Sequence, residues 1–224
     1  MTVRPLVVVF DVNETLSDLG PMGGRFTEVG APPELSRVWF AGVLRDGFAL
    51  TAVGACEPFA MLAADSLRTV LHGVPLNRDV DAAVDHVMGG FAELRVHPDV
   101  PDGIRALRAA GHRLVTLTNG AVQVADRLLT GAGVRDEFER LLSVDDAGVW
   151  KPAEGAYAYA ARTCGVEPAE MLLVAVHPWD IDGARRAGLQ AAWVNRTGTP
   201  YPSCFTAPTM TVSGLDDLAR RIRT

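Results

Sequence analysis

Residues that could carry out a reaction occur at four separate places in this chain. They are Asp11 with Thr15, Thr118 with Asn119, Lys151, and His177 with Asp180. A carboxylate such as that of Asp11 can attack an electrophilic carbon or phosphorus and form a covalent ester, which divides one difficult reaction into two easier ones. The residue types are therefore compatible with covalent catalysis at Asp11.

Each of these groups also has a purely structural explanation. The turn sequence Thr118-Asn119-Gly120 is favourable in itself, Asp11 could simply begin a turn, and Asp180 could cap a helix. Lys151 could be a solvated surface residue. Only if the fold brings all four groups to one place do they indicate a site.

The stretches that surround these residues predict a sheet that could bring them together. Apolar runs with little alternation are typical of strands covered on both faces, and helical patterns separate them. We predict a parallel, doubly wound α/β sheet, because strands alternate with helices. Its ligand edge lies at the carboxyl ends of the strands. The predicted strands are 7–10, 113–118, 141–144, 171–176, 191–194 and 209–212.

Residues 18–95 interrupt this alternation, because they contain helical patterns and no convincing strand. The glycine-rich stretch 20–24 predicts a loop, and three helices are predicted from 33 to about 53, from 58 to 72 and from 79 to 94. We therefore predict a core domain of residues 1–17 and 96–224. A helical cap domain of residues 18–95 is predicted to lie over the carboxyl edge of the sheet.

Composition excludes several classes of partner. The net charge is −6 and the pI is about 5.3, which argues against binding to nucleic acid or to an anionic membrane. No apolar run approaches the length that spans a bilayer. The three cysteines, Cys56, Cys164 and Cys204, are widely spaced and predict neither a disulfide framework nor a zinc site. A reducing, cytoplasmic setting is expected.

The polar motifs, taken in order, resemble those of the haloacid dehalogenase superfamily. They are Asp-x-x-x-Thr-Leu, Leu-Thr-Asn-Gly, Lys-Pro and Trp-Asp-x-x-Gly-Ala, and the resemblance runs nearly from end to end. It is closest to the type II 2-haloacid dehalogenases. It implies a Rossmann-like core with an inserted helical cap, and metal-independent hydrolysis of a small 2-haloalkanoic acid. No cofactor and no metal are implied, and the expected partners are a small-molecule substrate and a second copy in a homodimer.

The resemblance also implies roles for individual residues. Asp11 would be the nucleophile, Lys151 would hold its charge and orientation, and Asp180 would orient Lys151 and prepare the water. Thr15, Thr118 and Asn119 would donate hydrogen bonds around the substrate and the carboxylate. The substrate-binding candidates are Val12, Asn13, Phe40, Arg45, Tyr157 and Trp179, with Tyr157 supporting the site from its helix.

The chain departs from the resembled family in the first cap helix. There the family places an Arg directly after a Trp, as the partner of the substrate carboxylate and the leaving halide. Phe40 follows Trp39 here. The loss of Arg removes a bidentate carboxylate partner, and Arg45 further along the helix is a candidate replacement or a solvated surface residue.

Further departures surround the expected nucleophile. The family usually carries Tyr and Gly where this chain has Asn13 and Glu14, and Ser and Asn where it has Ala175 and His177. His177 could be the general base for the hydrolytic water, or it could stand in for Asn as a hydrogen-bond partner. Glu14 could point to solvent or supply a metal ligand.

Three other functions remain open on these residues. The same mechanism could act on another carbon–heteroatom bond. A magnesium-dependent phosphatase is disfavoured, because Asn13 stands where such enzymes need an acid and Val176 stands where they need a ligand. A non-catalytic protein that binds a small acid or a partner is the third.

Overall fold

The first apolar run forms a central strand of a parallel sheet. The computed structural model describes residues 7–222. The strands lie in the order β3-β2-β1-β4-β5-β6 across the sheet, and all pairings are parallel, which confirms the predicted doubly wound sheet. Their bounds are β1 (Val7–Phe10), β2 (Arg113–Thr118), β3 (Arg140–Ser143), β4 (Met171–Ala175), β5 (Gln190–Val194) and β6 (Met210–Val212).

Helices occupy most of the remaining described chain. Two short 3₁₀ helices span Arg135–Glu137 and Pro168–Glu170. The α-helices are α1 (Met22–Glu28), α2 (Leu35–Ala52), α3 (Phe59–Leu71), α4 (Val80–Ala92), α5 (Val100–Ala109), α6 (Val122–Gly131), α7 (Val144–Ala147), α8 (Glu154–Cys164), α9 (Pro178–Arg186) and α10 (Leu215–Arg221).

Successive strand residues point to opposite faces of the sheet, and each face has its own apolar core. Val8 and Phe10 of β1 pack with buried residues of α5, α6 and α10. Val7 and Val9 pack with buried residues of α8 and α9. This two-sided burial explains why the strands are almost uniformly apolar.

The described chain divides into two compact units. One contains residues 7–17 and 95–222 and holds the sheet. The other, Asp18–Leu94, contains α1 to α4, and its core is aromatic. Trp39 of α2 makes an edge contact with Phe91 of α4, and its indole Nε1 donates to Ala63 O of α3 at 2.9 Å. An antiparallel bridge between Ser17 and Val96 joins the two segments of the sheet unit between which the helical unit is inserted.

Two local predictions were wrong. Residues 20–24 are not all loop, because α1 begins at Met22 after Pro21, whose φ of −63° suits a helix start, and Met22 is buried. Strand β3 ends at Ser143, whose side chain accepts from Asp145 N and so starts a helical turn. The structure also rules out the alternative in which Asp180 only caps a helix, because α9 starts at Pro178 and Asp180 lies inside its first turn.

No helix within residues 7–222 is long and apolar enough to cross a membrane.

Candidate active site

The carboxyl ends of β1 and β4 lie side by side at the point where the strand order reverses, the usual ligand position in such sheets. Asp11 directly follows β1 and Val176 follows β4. The Thr15 hydroxyl donates to Asp11 Oδ2 at 2.6 Å and accepts from Val176 N at 3.1 Å. Thr15 therefore fixes the Asp11 carboxylate and joins the two strand ends.

Lys151 lies between two buried carboxylates. Its Nζ is 3.0 Å from Asp11 Oδ1 and 2.5 Å from Asp180 Oδ2. The Lys151 and Asp180 side chains are fully buried, and that of Asp11 is 5% exposed. Lys151 is also the only lysine in a chain with 21 basic residues, a sequence signal that could have singled it out. The compact ammonium group of lysine can contact two carboxylates at once. The guanidinium of arginine is planar, so lysine and arginine are not interchangeable at such a position.

Helix α8 holds Asp180 from the side opposite Lys151. The hydroxyl of Tyr157 donates to Asp180 Oδ1 at 2.6 Å, and it is fully buried. The close approach of α8 and α9 depends on Gly183, where a Cβ atom would lie 2.6 Å from both the Tyr157 hydroxyl and Pro152 Cβ. Tyr157 therefore contacts the site through Asp180.

The side chains of Asn119 and Thr118 form hydrogen bonds with backbone groups. Asn119 Oδ1 accepts from Lys151 N at 3.0 Å and its Nδ2 donates to Lys151 O at 3.2 Å. The Thr118 hydroxyl accepts from Gly120 N at 2.9 Å, which forms the turn after β2. Asn119 therefore fixes the backbone of Lys151, and Thr118 shapes a turn. The Thr118 hydroxyl only accepts in this contact, and donation by Thr118 and Asn119 to the substrate stays a prediction.

His177 lies against the other oxygen of Asp11. Its Nδ1 is 3.2 Å from Asp11 Oδ2 and its Nε2 is 2.8 Å from Glu14 Oε2. The ring stacks on Trp179 with centroids 4.9 Å apart, and Lys151 Nζ is 6.0 Å from the Trp179 ring centroid. Trp179 therefore lines both cationic groups.

Neighbouring charges set the protonation of this cluster. Burial alone would raise the pKa of Asp11, but Lys151, His177 and the Thr15 hydroxyl outweigh it and hold that pKa well below its ordinary value. Burial would lower the pKa of His177, yet its hydrogen bonds to Asp11 and Glu14 raise it to about 9. At neutral pH Asp11 is therefore a carboxylate and His177 an imidazolium.

The second acid of the cluster has the opposite tendency. Burial is the largest influence on Asp180 and raises its pKa, with repulsion from Asp11 adding to the rise and Lys151 opposing it. The pKa of Lys151 is raised: burial opposes the ammonium form, but the two carboxylates outweigh burial. The arrangement combines an ionised carboxylate at Asp11 with a second buried carboxylate, Asp180, that binds a proton more readily.

The remaining predicted residues lie in different surroundings. The side chain of Val12 belongs to the apolar core, and Asn13 is buried next to Asp11 in the chain. In the helical unit, Phe40 is buried against Trp39 and Phe59. The guanidinium of Arg45 is exposed and donates twice to Asp46.

The sequence does not predict a partner for Glu14, which is expected either to face solvent or to supply a metal ligand. It instead pairs with His177. The available signal was an acid after one strand end and a histidine after another, at strands that proved to be neighbours. Within residues 7–222, no group of three or more His, Cys, Asp or Glu side chains has the geometry to hold a metal ion.

Comparison with known proteins agrees with this geometry. Residues 6–188 match the family described as haloacid dehalogenase-like hydrolase. The (S)-2-haloacid dehalogenase of Pseudomonas sp. (strain YL) is 33% identical over 212 residues, which cover 93% of this chain and 90% of that protein.

Solved structures extend the likeness to the whole fold. A dehalogenase crystallised as an intermediate complex has a TM-score of 0.92 at 27% identity and covers 100% of both chains. The L-2-haloacid dehalogenase from Xanthobacter autotrophicus with chloropropionic acid covalently bound has a TM-score of 0.87 at 26% identity, covering 98% of both chains. A motif series, a site and a fold thus agree along nearly the full length, and the chain belongs to the haloacid dehalogenase-like hydrolase family.

Proposed function

We propose that this protein hydrolyses the carbon–halogen bond of a small 2-haloalkanoic acid through an ester on Asp11, without a metal ion. The observation that carries the proposal is the Asp11 carboxylate, which is buried, ionised and held between Lys151 and Thr15 at the ligand edge of the sheet. A related protein with chloropropionic acid covalently bound supports the covalent intermediate.

In the first step an oxygen of Asp11 attacks the carbon that bears the halogen. A carbon–oxygen bond forms while the carbon–halogen bond breaks, and the halide leaves with the electron pair of that bond. No proton is transferred. Lys151 and Thr15 keep the carboxylate oriented, which lowers the entropic part of the barrier.

In the second step water attacks the Cγ atom of the Asp11 ester. Asp180 takes a proton from the water, since its raised pKa makes it the better base of the two acids. As the ester bond breaks, the alcohol oxygen leaves and takes back the proton that Asp180 removed from the water. The second proton of the water passes to solvent. This yields a 2-hydroxy acid and restores the Asp11 carboxylate.

A second candidate is the same chemistry on another carbon–heteroatom bond. Phe40 is packed among aromatic rings and Arg45 is engaged by Asp46 at the surface. These surroundings do not mark either residue as the carboxylate partner. A substrate that lacks a carboxylate would therefore suit this chain better than it suits a family member with Arg.

Assembly and location complete the proposal. We expect a homodimer, which light scattering on the purified protein would test directly. We also expect a cytoplasmic protein, in keeping with the free thiols of Cys164 and Cys204.

Halide release from 2-chloropropionate, measured with EDTA present, tests the proposed reaction. Release that is insensitive to EDTA and absent in Asp11→Asn is the expected result. In a rapidly quenched wild-type reaction, mass spectrometry should find the substrate acyl group on the peptide that contains Asp11. Phosphate release that requires magnesium would favour a phosphatase instead. Ligand binding without turnover, unchanged in Asp11→Asn, would favour a non-catalytic protein.

A further inference from the structure

Glu14 has an unfavourable backbone conformation directly beside the site. Its φ of 62° is the only positive value at a non-glycine residue within 7–222. An L-residue with a side chain is disfavoured there, and such conformations persist where the surroundings hold them in place. Glu14 is held in two ways: its carbonyl oxygen accepts a hydrogen bond from His97 Nε2 at 2.9 Å, and its carboxylate contacts His177.

His177 bridges two carboxylates with its two ring nitrogens. Nδ1 faces Asp11 and Nε2 faces Glu14, at 3.2 and 2.8 Å. An ionised carboxylate can only accept hydrogen bonds, so both nitrogens must carry protons for both bonds to form. The ring side chain is only 12% exposed, which limits competition from water. The geometry therefore selects the imidazolium form.

The other charged groups around His177 do not change the preference for its imidazolium form. Asp11 and Glu14 contact it directly, while Lys151 lies on the far oxygen of Asp11 and Asp180 lies beyond Lys151. Trp179, from the first turn of α9, covers one face of the ring. A ring cation over an aromatic face is a favourable arrangement.

We propose that Glu14 is a positioning residue that holds His177 as a doubly protonated hydrogen-bond donor to Asp11 Oδ2. In this role His177 stabilises negative charge on that oxygen and does not act as the base for the hydrolytic water. The inference rests on the proposed function for its second part, the catalytic use of Asp11. The first part, the pairing of Glu14 with His177, is independent of any substrate.

Lys151 and His177 contact different oxygens of the Asp11 carboxylate. Lys151 contacts Oδ1, whereas Thr15 and His177 contact Oδ2. When water adds to the Asp11 ester, negative charge develops on the oxygen that is not alkylated. Whichever oxygen forms the ester, the other one keeps a cationic donor, and such preorganised donors lower the barrier. The proton of the water goes to Asp180, so His177 keeps both of its own.

A titration of the histidine rings by NMR tests the first part on the full-length protein without substrate. The chain has five histidines, and the signal that disappears in His177→Asn identifies His177. We expect His177 to titrate near pH 9 in the wild type. In Glu14→Gln its pKa should fall by about one unit or more, since a charged partner is lost. Glu154→Gln, at an exposed acid of α8, is the matched control and should leave it unchanged.

A third variant separates positioning from folding. Glu14→Gly removes the carboxylate and also suits the positive φ, so it should fold at least as well as the wild type. It should nevertheless lower the pKa of His177 as Glu14→Gln does. A His177 that titrates at or below its ordinary value of 6.5 in the wild type, or one that ignores both changes at Glu14, overturns the proposal.

The pH dependence of ester hydrolysis tests the second part. In the wild type the single-turnover rate of hydrolysis should fall as pH rises. The fall should come at a lower pH than the pKa of about 9 in the free enzyme, because an esterified Asp11 no longer carries the charge that helps to raise the pKa of His177. This limb should move to still lower pH in Glu14→Gln. His177→Asn, which keeps a neutral donor, should remove the limb without abolishing hydrolysis. A rate that increases as His177 loses its proton, with ester accumulating in His177→Asn, would make His177 the base. If no ester forms at all, the proposed function fails while the titration result still decides the pairing.

Discussion

At the scale of single residues, the site is a row of charges with alternating sign, buried except at its outer end, where the Glu14 side chain is 42% exposed. The row runs from Glu14 through His177, Asp11 and Lys151 to Asp180, where Tyr157 donates the last hydrogen bond. Burying such groups is costly, and each is offset only by its neighbours. Removal of one member should therefore change the protonation of the next, which makes the row testable by pH.

Lys151→Met should destabilise the protein strongly at neutral pH. It leaves the buried carboxylates of Asp11 and Asp180 without their shared cation, at a cost of about 3–5 kcal/mol. Lys151 lowers the pKa of Asp11, so the stability it provides is present above about pH 3.8 and is lost as pH falls. Urea unfolding at pH 7 and pH 3 should give the larger difference from wild type at pH 7. An equal difference at both values would contradict this coupling.

The charge on His177 should appear in the stability of the protein at alkaline pH. Its pKa is about 9 in the folded chain against 6.5 ordinarily, so its contribution is complete below pH 6.5 and is lost as pH rises through 9. A shift of this size corresponds to roughly 3 kcal/mol at most. The difference in unfolding free energy between wild type and His177→Asn should shrink across this range. A difference that stays constant between pH 6 and pH 10 would contradict a raised pKa for His177.

At the scale of elements, each charged residue is held by the end of a different strand or helix. Asn119, after β2, binds both backbone groups of Lys151, and Tyr157 of α8 binds the side chain of Asp180 in α9. Asn119 and Tyr157 thus set the positions of Lys151 and Asp180. The contact between α8 and α9 is the tightest of these supports, because it requires glycine at 183.

Gly183→Ala should disturb the site from a position outside it. Its Cβ would lie 2.6 Å from Pro152 Cβ and 2.7 Å from Pro152 O, which forces α9 to move at a cost of about 1–3 kcal/mol. Asp180 is in the same helix, so kcat should fall as well. Gly131→Ala, in α6 with open space around it, is the matched control and should be neutral or stabilising by up to about 1 kcal/mol. Equal thermal unfolding of the two variants would show that the close contact is not needed.

At the scale of the whole molecule, the sequence predicted the architecture better than it predicted the side-chain contacts. Periodicity located the strands, and the rule that parallel strands share a carboxyl edge brought Asp11, Lys151 and Asp180 together. The sequence could not show that the Asn119 side chain would bind the backbone of Lys151, because the same Thr-Asn-Gly sequence suits a turn or a site. It also could not pair Glu14 with His177, because that contact spans 163 residues and depends on which strands are neighbours.

The division into two units suggests that the sheet unit maintains the row of charges by itself. The loop after β1 is anchored within this unit: Arg196 donates to Thr15 O at 3.1 Å and pairs with Asp99, while Ser17 bridges to Val96 where the helical insertion begins and ends. Asp11, Glu14 and Trp179, which contact His177, belong to this unit as well.

A variant in which a short Gly-Ser linker replaces residues 18–94 should therefore unfold cooperatively in urea. Its His177 should titrate near pH 9, as in the full chain, because both carboxylate partners are retained. The same linker variant carrying His177→Asn identifies the signal. Since Lys151 is the only lysine, a ¹⁵N-lysine label gives a second, independent signal from the same row. A cooperative transition with a His177 pKa near 6.5 would mean that the sheet unit folds alone but needs the helical unit to keep its charges in place.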